Sequence, residues 1–164
     1  MKFKNISFLI LLFFLATSNL QAISFNLFGN NEISGKVISI ADGDTLTILD
    51  KDKRQHKIRL ASIDAPEKSQ DFGNVSKKSL SDMCYGRIAS VLVKDKDKYN
   101  RSVGVVSCDG LEANLEQVKR GMAWVYKKYA SERKYFEAEE EAKSAKIGIW
   151  SRADLVPAWE FRKK

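Results

Sequence analysis

The sequence predicts an α+β domain dominated by β-structure: five short strands closed, or nearly closed, into a small barrel that carries three helices. Three observations predict it. Short apolar runs of strand character recur between tight turn signals, helical stripes are interposed among them, and the length leaves room for one core. Among barrels of this size, the five-stranded oligonucleotide-binding (OB) fold is the natural candidate.

The elements follow in order. Gly35 to Ile40 alternates in part and reads as the first strand. Asp42-Gly43 is a hairpin signal, because Gly accepts positive φ without a Cβ clash. Thr45 to Leu49 is the second strand, Lys51 to Arg54 a charged turn, and Lys57 to Ile63 the third strand. Its Arg59 falls on the face opposite Ile58 and Leu60. Pro66 ends that strand, since it has no N–H to give a central ladder. Val75 to Tyr85 reads as a helix with Val75, Ser79/Leu80 and Met83 on one stripe, stopped by Gly86. Ile88 to Val93 and Ser102 to Val106 are the fourth and fifth strands, separated by a charged loop from Lys94 to Arg101. Asp109-Gly110 marks a further tight turn. Helices are expected over 112–120, closed by Gly121, and over 131–146, ending before Gly148.

Residues 1–22 read differently. Lys2 and Lys4 precede an apolar run from Ile6 to Ala16, and Leu20-Gln21-Ala22 offers a small residue at a cut point, the layout of a secretory leader. The run is 11 residues long; spanning a bilayer takes roughly 20. No later segment has the length to span, so stable membrane insertion is not expected. An exported chain, periplasmic or secreted, is expected, with one domain over 23–164 and its core over about 33–151. Losing Lys2 and Lys4 and no acid lowers the net charge from +7 to +5. A basic exported domain suits a polyanion: nucleic acid, anionic lipid or acidic glycan.

The histidine and cysteine counts exclude much chemistry. The single histidine, His56, reads as an exposed strand residue, and with two cysteines it cannot build a usual zinc site. Two-histidine ribonucleases and phospholipase D-type enzymes are excluded. A Ser–His–Asp triad lacks its Gly-x-Ser-x-Gly elbow. Any chemistry therefore rests on carboxylates, arginines and a metal. Asp44 follows a turn, Asp64 ends the next strand and Glu67 lies just beyond. A barrel can bring a strand start and a neighbouring strand end together, giving a carboxylate cluster beside Arg59. Like charges gathered at one place suit a hard cation with oxygen ligands, and a strand arginine suits a phosphate, whose oxygens match its planar fork. Taken singly, Asp-Gly reads equally as a plain turn and Asp-Ala-Pro-Glu as a plain strand exit.

The order Asp42-Gly43-Asp44-Thr45, then Ile58-Arg59-Leu60-Ala61-Ser62-Ile63-Asp64-Ala65-Pro66-Glu67, then Asp97-Lys98-Tyr99-Asn100-Arg101 resembles the staphylococcal nuclease (thermonuclease) family. Asn114-Leu115 before Val118, Arg120 to Tyr126, and Gly148-Ile149-Trp150-Ser151 extend the match over about 33–151. The resemblance implies an OB barrel with three helices and a calcium-dependent endonuclease that hydrolyses DNA and RNA, leaving 3′-phosphorylated products. It implies that Asp44, Asp64 and the main-chain carbonyl of Ala65 hold Ca2+, that Glu67 is the general base, and that Arg59 and Arg101 grip the phosphate. Many relatives carry Thr at the position of Ala65; a carbonyl ligand survives that change. Tyr99 and Tyr126, with Tyr129, are candidates for stacking on bases, which favours single strands; Trp124 and Trp150 are assigned to packing. The family fold brings Cys84 near Cys108, so a disulfide and two separate buried thiols both stay open. A monomer is expected. The alternative is a silent OB module that binds nucleic acid or protein; such relatives lose part of the carboxylate and arginine set, which this chain retains.

Overall fold

A computed structural model of the chain describes residues 31–163; the expected leader lies outside the described residues. In chain order the elements are β1 (Glu32–Ile40), β2 (Thr45–Leu49), β3 (Gln55–Leu60), β4 (Ile63–Asp64), α1 (Gly73–Cys84), β5 (Ile88–Lys96), β6 (Ser102–Cys108), β7 (Leu111–Glu112), α2 (Ala113–Lys119), β8 (Trp124–Val125), α3 (Arg133–Ser144), a 3-10 turn (Gly148–Ser151) and α4 (Ala158–Phe161). The three expected helices are present, and the short α4 adds a fourth.

The strands run β3-β2-β1-β5-β6 across one sheet, and β3 pairs with β6 to close it. That closing pair is parallel, Ile58 facing Ser102 and Leu60 facing Gly104; the pairs of β2 with β3 and β5 with β6 are antiparallel. Strand β1 serves both halves, pairing β5 with its first residues and β2 with its last, and a register shift between Val37 and Ser39 bends it. This is the five-stranded barrel of the OB type. Its interior follows from the period-2 pattern: Val37, Leu46, Ile48, Ile58, Val91 and Val106 are fully buried. Each such side chain contributes about 1.5–3 kcal/mol relative to exposure.

Helix α2 fastens the closure. Its buried Asn114 donates from Nδ2 to the carbonyls of Ala61 (2.9 Å) and Gly104 (3.1 Å) and accepts from the Val106 N–H. Three residues on, Gln117 donates to the carbonyls of Gly43 (2.6 Å) and Ser76 (3.1 Å). The two amides tie both the strand end and the turn that carry the candidate site to one helix. Cys84 at the end of α1 and Cys108 at the end of β6 form a disulfide with Cα atoms 5.3 Å apart.

Some local expectations needed correction. Gly43 is required, but not for positive φ: a Cβ there would lie 1.8 Å from Ser76 Oγ, so glycine admits the close approach of α1 to the turn. Of the two Asp-Gly turns, Asp109-Gly110 is the one with positive φ. Val75 is half exposed, and Ser76 takes the buried place beside Leu80 and Met83 because its hydroxyl donates to the Met122 carbonyl at 2.7 Å. The third strand starts at Gln55 and breaks after Leu60, Ile63–Asp64 pairing with β8 instead. Strand β5 continues through Lys94-Asp95-Lys96, because ladder pairing is a backbone matter and the charges point outward. His56 is not freely exposed: its Nε2 lies 2.8 Å from Asp50 Oδ2.

Candidate active site

The barrel delivers the polar residues to one open cleft of about 900 Å³, lined by Asp44, Arg59, Asp64, Glu67, Arg101 and Arg162 among others. Asp44 sits in the β1–β2 turn, where its N–H donates to Asp42 Oδ1 at 3.0 Å. Its own carboxylate accepts from the Ala65 N–H at 2.7 Å and from the Thr45 hydroxyl at 3.1 Å. This fixes the turn against the β4 exit, 21 positions away in sequence.

Arg59 faces Thr45 across the β2–β3 ladder and reaches over the turn. Its Nη1 contacts Asp44 Oδ2, and its Nη2 donates to Asp64 Oδ1 at 2.7 Å. One guanidinium thus bridges two buried carboxylates. Its buried Nη1 meets Asp44 by charge rather than through a well-aligned hydrogen bond. Burial opposes the charge on Arg59, but Asp44 and Asp64 outweigh it and hold the pKa above the ordinary value. Asp44 is pushed up to about 7, chiefly by burial, with Arg59 and the Ala65 N–H opposing and Asp42 and Asp64 adding repulsion. The acids here outnumber the charge that Arg59 supplies.

Arg101 reaches the same cleft from the β5–β6 loop. Asp97 accepts from the N–H groups of Tyr99 and Arg101, both at 2.9 Å, and from Arg101 Nε at 2.7 Å. Burial pushes Asp97 upward, but these donors outweigh it and hold its pKa below the usual range. With Nε committed, the outer nitrogens of Arg101 point onward, Nη1 lying 3.4 Å from Thr45 Oγ1. Thr45 is therefore the hinge point between the two arginines, and its role was not singled out from the sequence. Tyr99 is exposed beside Lys98 and Arg101. Tyr126 lines the cleft, but one face of its ring is stacked on Trp159, centroids 5.4 Å apart. Trp124 is buried and meets Trp150 and Trp159 edge-on.

Three further residues escaped the sequence reading. Arg162, just past α4, donates to Glu67 Oε1 at 2.6 Å and to Asp64 Oδ2 at 2.8 Å. Gln70 accepts from the Glu67 N–H at 3.1 Å and donates to the Val156 carbonyl at 2.6 Å. Gln117 holds the Gly43 carbonyl. The one sequence signal for Arg162 is the spacing Trp159-x-x-Arg162, which places both on one side of a short helix after Pro157.

Among the described residues no three acid, histidine or cysteine side chains stand as a ready metal cage. The donor set nevertheless fits a hard cation. It is all oxygen, and its two inner carboxylates, Asp44 and Asp64, are almost wholly buried with arginine as their only near cation.

A closed barrel with buried carboxylates and three guanidiniums on one open cleft defines a class: an OB-type barrel with a site suited to an anionic ester. The family model described as staphylococcal nuclease homologue matches residues 57–152. The chain is 45% identical over 129 residues to an uncharacterized endonuclease of Haemophilus influenzae, covering 79% of this chain and 72% of the relative. It is 38% identical over 132 residues to an uncharacterized endonuclease of Escherichia coli O157:H7 (80% and 86% covered) and 32% identical over 143 residues to a micrococcal nuclease of Shigella flexneri (80% and 82% covered). The chain belongs to the staphylococcal nuclease family and is, at that level, a nuclease of the hydrolase class. Among the described residues no helix is long and apolar enough to cross a membrane.

Proposed function

We propose that this chain is a calcium-dependent endonuclease that hydrolyses DNA and RNA, single strands in preference, and leaves 3′-phosphates. The observation that carries the reading is the bridge of Arg59 between Asp44 and Asp64, with Arg101 and Glu67 on the same cleft. Asp44, Asp64 and the Ala65 carbonyl would hold Ca2+, which supplies charge neutralisation at the phosphoryl oxygen. Glu67 accepts the proton of the attacking water. The water oxygen bonds to phosphorus, the bond to the 5′-oxygen breaks, and that oxygen leaves as the 5′-hydroxyl after taking a proton from solvent at the open cleft. Arg59 and Arg101 donate to the phosphoryl oxygens, where charge rises as the pentacoordinate state forms. Tyr99 offers a sequence-tolerant stacking surface beside the arginine loop. The leader pattern over 1–22 supports export to the periplasm or the medium.

The test is end analysis of digests of single-stranded DNA, duplex DNA and RNA in calcium. The expected result is 3′-phosphate and 5′-hydroxyl ends, with the single strand cut fastest and the rate falling as salt rises. Products with 5′-phosphates, or cleavage confined to one duplex sequence, would contradict the reading.

A further inference from the structure

The C-terminal segment belongs to the site although it lies beyond the family match, which ends at residue 152. It is seated by the second apolar cluster, in which Trp124, Ile149 and Ala158 are buried and Phe72, Trp150, Leu155 and Trp159 pack around them. Trp159 stacks flat on Tyr126, with 3° between the ring planes. Arg152 adds an ion pair to Asp71 at 2.6 Å. Two separate links then run from this segment to the Glu67 loop. The Val156 carbonyl holds Gln70, which receives the Glu67 N–H, and Arg162 holds the Glu67 carboxylate itself.

Arg162 also covers Asp64. Asp64 Oδ2 accepts from Arg162 Nη2, while Oδ1 accepts from Arg59 at 2.7 Å and from Arg162 Nη1 at 3.2 Å. Both oxygens of a carboxylate proposed to hold calcium are therefore taken by guanidiniums. The Arg162 side chain is 43% exposed, so its head can move outward where the bridging Arg59, at 14%, cannot. A cation that takes an Asp64 oxygen competes with Arg162 for it, and a guanidinium that gives way still has its second partner, Glu67.

We propose that Arg162 is a positioning residue of this site: it competes with the divalent cation for Asp64 and fixes the Glu67 carboxylate in the cleft. The proposal rests on the calcium-nuclease reading. A guanidinium carries its charge at every pH at which the protein is folded, so Arg162 acts as a fixed cation. A cation beside the metal position repels the metal, and a neutral amide at position 162 removes that repulsion while leaving Asp64 in place.

The experiment is calorimetric titration of the purified chain with Ca2+, paired with steady-state cleavage of single-stranded DNA, for wild type, Arg162→Gln and Arg162→Lys. Arg162→Gln is expected to bind Ca2+ about three- to tenfold more tightly. Its kcat at saturating Ca2+ is expected to fall about tenfold with KM within about twofold, because an untethered base is less often in place. Arg162→Lys is expected to recover part of both changes, since an ammonium keeps the charge but not the fork. In a Glu67→Gln background, Arg162→Gln is expected to lower kcat no further. Melting temperatures identify a variant that fails to fold; should Arg162→Gln do so, Arg162→Met, equally uncharged, carries the same comparison. Calcium affinity equal to or weaker than wild type in a folded Arg162→Gln, or an undiminished kcat loss in the Glu67→Gln background, would overturn the proposal and leave the nuclease reading standing. A wild type that binds no Ca2+ and cleaves undiminished in chelator would overturn the reading itself, and the proposal with it.

Discussion

Arg59 and Arg101 face the same cleft but are built in opposite ways. Arg59 belongs to a central strand, opposite Thr45 in the β2–β3 ladder and beside Val103 in the closing β3–β6 pair. Its side chain lies between two buried acids and is part of what makes their burial tolerable. Arg101 ends a loop held by one acid, Asp97, four positions earlier in the chain. Removing the first is expected to disturb the barrel, and removing the second mainly the loop. Facing one cleft therefore does not imply a shared structural role, and the two arginines separate experimentally.

The largest effect is expected at Arg59. Arg59→Gln leaves Asp44 and Asp64 without their bridging cation, and taking one partner from a buried ion pair costs about 3–5 kcal/mol. Urea unfolding in chelator should show a loss of that size, partly recovered by added Ca2+. A loss under about 1 kcal/mol would mean that the acids do not depend on the bridge.

The disulfide comes next and sharpens the contrast from the barrel side. It joins α1 to β6 across 24 positions of chain, away from the arginine loop. Replacing Cys84 and Cys108 together with Ser should lower unfolding stability by about 3 kcal/mol. Cleavage in the cold, where the fold persists, should be little changed. Two titratable thiols in the denatured, unreduced wild type would show instead that the bridge does not form.

Arg101→Lys should show the reverse profile. Its unfolding midpoint should stay close to that of wild type, because the pair it loses is partly exposed, while kcat falls on the order of 10²-fold for want of the planar fork. Equal loss of stability and rate would place Arg101 in the same structural class as Arg59 and remove the distinction.

What was legible in the sequence follows the same division. The strands, the turns and the residues near them could be read because alternation and turn chemistry act over a few positions. Asp44, Arg59, Asp64 and Glu67 fall within one such stretch, so their gathering beside a barrel mouth could be anticipated. Ser76 was misplaced because its burial depends on a carbonyl at Met122, 46 positions away, and apolar periodicity carries no trace of that bond. The charged end of β5 has the composition of a loop, and its pairing with β6 is made by backbone, which composition does not show. Arg162 escaped because its partners lie 98 and 95 positions away and the aromatic cluster that seats it forms only in the fold.

The central claim is that the carboxylate and arginine cluster is the centre of a calcium-dependent phosphodiesterase. It is tested most directly by the rate of single-stranded DNA cleavage in calcium and in excess chelator, for wild type and for Glu67→Gln with Asp44→Ala. The account predicts rapid cleavage by wild type in calcium, none above background in chelator, and a loss of at least about 10²-fold in the double variant. Cleavage undiminished by chelator, or surviving both substitutions in a folded protein, would contradict it.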